Sequence, residues 1–187
     1  MLRVLVLVAL AIAVLPSVAH ACLNGTEWTT NDYVRLVVKA EKQLEAGQFG
    51  RAGKTLGRVR MPTRLLQQRA DDVRAVIKLR TSTAKKDLEA VAKHFAKRTT
   101  GETASKDVRF KAWLAEAYVA LGKKDDARPI LAELHERDLM PDAYAYRALA
   151  SLSTGTERYK FWKACRTRAK DKDICDLPAE KTATNRS

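Results

Sequence analysis

From Asn31 to Lys170 apolar residues return every three or four positions, and no stretch alternates strictly between apolar and polar. That is the period of helices with one buried side. Breakers interrupt it at a regular pace: Gly47, Met61-Pro62, Thr81-Ser82-Thr83, Thr99-Thr100-Gly101, Gly122, Met140-Pro141 and Ser153-Thr154-Gly155. The spacing predicts an all-α chain of eight helices in four antiparallel pairs: 31–46 with 49–60, 63–81 with 84–97, 105–121 with 125–136, and 142–152 with 156–169. A short polar lead (22–30) precedes them. A charged tail (171–187) follows and is expected to be disordered.

The pairs resemble one another. Ala40, Gly47, Phe49, Ala52 and Leu56 recur at offsets of 7, 9, 12 and 16 from Ala40. Tyr118, Gly122, Ala127 and Leu131 stand at offsets 3, 7, 12 and 16 from Ala115, and Gly155 stands 7 after Ala148. The second pair aligns on Val76, Leu79, Thr83, Leu88, Ala92 and Phe95 without the glycine, and the units begin 36, 39 and 33 residues apart. Small residues where two helices meet, a glycine at the turn and a period near 34 resemble the tetratricopeptide repeat (TPR). The fourth unit departs from it, with Lys160 in place of a small residue. The resemblance implies a right-handed α-solenoid of about four TPR-like hairpins. In such a solenoid the first helix of each unit lines a concave groove. Carried over by the alignment, Val34, Val37, Glu41 and Leu44 would face the groove from the first unit, and Arg109, Ala112, Glu116 and Val119 from the third. A groove of mixed apolar and charged character suits an extended peptide or a helix.

The N-terminus changes the compartment. Met1-Leu2-Arg3 gives a positive start, Val4 to Leu15 an unbroken apolar run, and Ala19-His20-Ala21 a small-residue end. This reads as a secretory signal cleaved after Ala21. The run falls short of the roughly 20 apolar residues that span a bilayer. No later segment is longer, so no transmembrane segment is expected after cleavage. The expected location is the periplasm or cell envelope.

Charge and cysteines refine the picture. The chain carries a formal charge of +13, or +12 without Arg3. Such a chain is drawn to anionic lipid, glycan or protein, unless its cations only solvate outer helix faces. Nucleic acid is not expected, because the aromatics do not interleave with the cations as a stacking platform requires. Arg51, Lys54, Arg58, Arg60 and Arg64 form one basic cluster; Lys163, Arg166, Arg168 and Lys170 form another. After cleavage Cys22, Cys165 and Cys175 remain. Cys165 and Cys175 are near enough in sequence to form a disulfide in an oxidising compartment. Cys22 would then be left at the first mature position, a free thiol or a site of lipidation. Asn24-Gly25-Thr26 matches a glycosylation sequon.

Catalytic chemistry is not legible. No HExxH, CxxC, GxSxG or phosphate-binding glycine loop occurs. His94 and His135 fall in separate units, His135 near a helix end where its charge suits the dipole. Asp71-Asp72 and Asp125-Asp126 are read as helix-start acids, with Asp125 a candidate cap. No catalytic residue, metal or cofactor is expected. The sequence points to an adapter for an unknown protein or peptide, or else to a binder of anionic envelope polymer or membrane surface.

Overall fold

The computed structural model describes residues 28–57, 60–100 and 106–176. The expected signal (1–21), Cys22, the sequon and Arg58 lie outside them, as do residues 177–187. Among the described residues there is no strand. Eight helices follow in order: α1 (Thr30–Glu45), α2 (Phe49–Leu56), α3 (Arg64–Thr81), α4 (Lys85–Thr99), α5 (Val108–Ala120), α6 (Lys124–Glu136), α7 (Ala143–Leu152) and α8 (Gly155–Arg168). A 3₁₀ turn (Lys172–Cys175) comes last.

Local signals explain the boundaries. Thr29 and Asp32 form a reciprocal capping box on α1, with Asp32 N–H 3.3 Å from Thr29 Oγ1 and Thr29 N–H 2.9 Å from Asp32 Oδ2. Thr63, Asp107 and Asp142 cap α3, α5 and α7, each side chain accepting one backbone N–H, from Leu66, Arg109 and Ala145. None of α2, α4, α6 and α8 has a side-chain cap. Each hairpin therefore starts on a well-defined first helix and folds its second back across a short turn. Asp125, expected as a cap, lies inside the first turn of α6, where the helix dipole still favours it.

The turn glycines act as their positions suggest. Gly47 has φ +73 and Gly122 φ +76, a region that glycine enters without steric cost. Behind each, the next residue reaches back to close the helix: Gln48 N–H to the Gln43 carbonyl and Lys123 N–H to the Tyr118 carbonyl, both 2.8 Å. Helix α2 stops at Leu56, short of the expected residue 60, because Gly57 leaves the helical region at φ +49.

The repeat offsets coincide with burial. Ala40, Ala52 and Leu56 in the first hairpin, and Ala115, Ala127 and Leu131 in the third, have no exposed surface. Alanine there lets paired helices approach closely. Each odd helix packs on the helix after it, and odd helices also touch in succession: α1 with α3, α3 with α5, α5 with α7. The even helices make no such row among the described residues. Three apolar clusters run along the array, centred on Leu56 and Val73, then on Phe95 and Phe110, then on Leu131 and Leu149.

The tail departs from expectation. Residues 171–176 belong to the fold, since Cys175 is 1% exposed and Ile174 packs against the last cluster. The Cys165–Cys175 disulfide, with Cα atoms 5.9 Å apart, ties this segment to α8.

Candidate binding surface on the last helix

The residues expected to line a groove are mostly used inside the fold. Val37 and Ala112 have no exposed surface and belong to the core. Val34, Leu44 and Val119 are half-buried against the apolar clusters. Glu41 is engaged by Arg69, with Nε–Oε1 at 3.0 Å and Nη2–Oε2 at 2.6 Å. Arg109 is exposed but held by Asp107, Nη2–Oδ2 2.6 Å.

Glu116 has the most distinctive surroundings of the eight. Its carboxylate and the Arg80 guanidinium are paired at two points with side chains only 5% and 8% exposed. Asp142 Oδ2 lies 3.5 Å from Arg80 Nη2, and Arg80 lies over the Tyr144 ring at 3.5 Å. Tyr144 in turn meets Phe49 edge-on at 6.3 Å, so the start of α2 touches the start of α7. Burial pushes the Glu116 carboxyl up to about 7; Arg80 pulls it down and the Asp142 carboxylate raises it further. A second interior network joins Asp72 to His94 (2.8 Å) and Arg98 (3.1 Å), with Arg98 over the Phe110 ring at 4.4 Å. Asp72 is thus a mid-helix residue whose partners lie on α4, not a helix-start acid. His135 is a packing residue, edge-on to Phe161 at 4.9 Å.

Helix α8 presents the opposite case. Only Phe161 and Cys165 are buried on it. Tyr159, Lys163 and Arg166 follow at spacings of 4 and 3, which is one stripe along a helix, and Lys170 lies just past the helix end. Tyr159 is 62% exposed and stacks on Trp162, centroids 5.7 Å apart and planes at 29°. Arg166 also lies over the Trp162 ring, 5.1 Å from its centroid. Shallow recesses flank the stack. One is bounded by Arg158, Tyr159, Trp162 and Asp176, the other by Tyr159, Trp162, Lys163, Arg166 and Lys172. Asp176 Oδ1 is 3.7 Å from Arg166 Nη1. Aromatics and cations therefore do interleave here, contrary to the expectation from sequence. The signal was present as the spacing 159, 162, 163 and 166. It was masked by the buried Phe161–Cys165 stripe of the same helix.

No family model, curated protein or solved structure matches the chain.

Among its described members the other basic cluster has no aromatic stack. Arg51 and Lys54 are exposed on α2, Arg60 lies in the following turn, and Arg64 begins α3. Arg168 leans over the Tyr146 ring at 4.5 Å, so it is tied to the core more closely than Lys163 or Lys170. Among the described residues no group of His, Cys, Asp or Glu is arranged to hold a metal ion. No helix among them is long and apolar enough to cross a membrane.

Proposed function

We propose that the chain is an exported, non-catalytic TPR-like adapter whose working surface is the solvent side of α8, where it binds an anionic envelope surface or polymer. One observation carries this reading: the exposed Tyr159–Trp162 stack capped by Arg166 and flanked by Lys163 and Lys172. Stacked aromatics offer flat apolar area at little entropic cost, and the cations beside them supply attraction for negative charge. The TPR-like part of the reading draws on the repeat offsets, the buried alanines and the row of odd helices. Peptide capture in the groove has less support, because Val37, Ala112 and Glu116 are already committed to the interior.

The test is retention on an immobilised anionic polymer across a salt gradient. Lys163→Ala with Arg166→Ala should elute at clearly lower salt than the wild type, while Arg51→Ala with Lys54→Ala should shift less. Equal shifts from the two double variants would mean that net charge alone is being read, and the α8 surface would lose its claim. Retention that ignores salt would point instead to a peptide partner, since exposed charges are screened within about 10 Å at 0.1 M salt.

A further inference from the structure

The α8 surface has the layout of a membrane-contact helix more than that of a polymer cleft, and we infer that it docks on the headgroup layer of an anionic phospholipid bilayer. This rests on the anionic-partner reading above and narrows it to one source of charge. The stripe Tyr159, Lys163 and Arg166 runs along the exposed side of a helix about 21 Å long at 1.5 Å per residue, with Lys170 just past its C-terminal end. It stands at the open end of the array, with no ninth helix against it among the described residues. A flat bilayer can meet such a stripe along its whole length. Tyrosine and tryptophan are the side chains that settle at headgroup depth, apolar ring inward and polar tip in water. Lysine and arginine beside them face a surface of phosphates. The recess between Trp162 and Lys172, with Lys163 and Arg166 on its rim, is placed to receive one phosphate. The charge balance still favours an anion: α8 carries five cations, Arg158, Lys160, Lys163, Arg166 and Arg168, against Glu157 on the helix and Asp176 beside Arg166.

The experiment uses the protein recovered from an exporting host, its variants in the same form, and vesicles. Sedimentation with phosphatidylcholine vesicles containing phosphatidylglycerol should pull the wild type down, and phosphatidylcholine alone should not. Lys163→Glu with Arg166→Glu should reduce partitioning at least about tenfold, as expected when several near-surface charges are lost or reversed. Tyr159→Ala should reduce it a few-fold without altering the thermal melt, because this ring is largely solvated. Arg51→Glu with Lys54→Glu serves as the control of equal charge change and should keep most of the binding. Three results overturn the inference. Retention on an acidic polysaccharide without vesicle binding would leave the anionic-partner reading standing and exclude lipid. Equal loss from both charge-reversed variants would make α8 unexceptional. Binding to neither vesicle nor polysaccharide would sink the lipid inference and the proposed function together.

Discussion

Helices α5 and α8 both carry charged side chains, yet they use them in opposite ways. Helix α5 is touched by α3, α4, α6 and α7, and even its Glu116 is enclosed. Helix α8 packs mainly on α7 and the 3₁₀ turn, with His135 of α6 edge-on to its Phe161, and most of its cations meet solvent. The difference is one of neighbours. Inside the array a charged side chain must find a partner or be expelled, so the Arg80–Glu116 pair becomes part of the architecture. At the end of the array the same residue types make looser, solvent-facing contacts, such as Arg166 with Asp176 at 3.7 Å, beside which an external partner can bind.

The sharpest way to break this contrast is to remove one half of the interior pair. Arg80→Ala leaves Glu116 buried without its counter-charge and is expected to cost about 3–5 kcal/mol, read as a large fall in melting temperature. Replacing both residues by apolar ones of similar volume should restore much of the loss. If Arg80→Ala melts like the wild type, the pair is not enclosed as described.

Breaking the Cys165–Cys175 bond tests how α8 is held from behind. A closed loop of this size corresponds to about 3 kcal/mol in the chain-entropy model. Cys165→Ala with Cys175→Ala, or reductant with the wild type, should lower the melting temperature accordingly. An unchanged melt under reductant, with the thiols shown to be free, would mean that apolar packing of Ile174 holds the segment alone.

A pH series sharpens the interior side. Glu116 has an ordinary value of 4.5 and is pushed up to about 7 by burial. Between those values the folded chain keeps a proton that the unfolded chain has released. The contribution of this residue to stability therefore falls as pH rises through that window. The difference in stability between wild type and Glu116→Gln should drift against the wild type from about pH 5 to about pH 7.5. A flat difference would mean that Arg80 keeps the carboxylate charged throughout.

The smallest effect belongs to the surface. Lys163→Ala with Arg166→Ala should change stability by no more than about 0.5 kcal/mol, as exposed charges usually do. A larger loss would show that α8 needs these residues to fold, and would blur the line between the two helices.

Much of the fold was legible because its signals are local. The apolar period, Gly47 and Gly122 all act within a turn or two of themselves, and the helices they predict are present. Gly57 was overlooked because a glycine between Leu56 and a basic run does not interrupt the apolar pattern. The interior charges were not legible for another reason. Glu116 sits 36 residues from Arg80, and Asp72 sits 22 from His94 and 26 from Arg98. Nothing in a neighbourhood such as Leu114-Ala115-Glu116-Ala117 announces a partner that far away. The α8 stack was readable in principle, since its members stand three and four apart. It takes the structure to separate the side of α8 that Phe161 buries from the side that Tyr159 leaves in water.

The meeting of Phe49 with Tyr144 has a consequence for how the molecule comes apart. In a strictly linear array each hairpin senses only its neighbours, and the ends can melt while the middle holds. Here one ring pair, Phe49 with Tyr144, joins the first hairpin to the last, so loosening either end removes that contact from the other. Such a chain should lose its structure in one concerted step, with amide protons in α1 and α7 opening together and no gradient of protection from the centre outward.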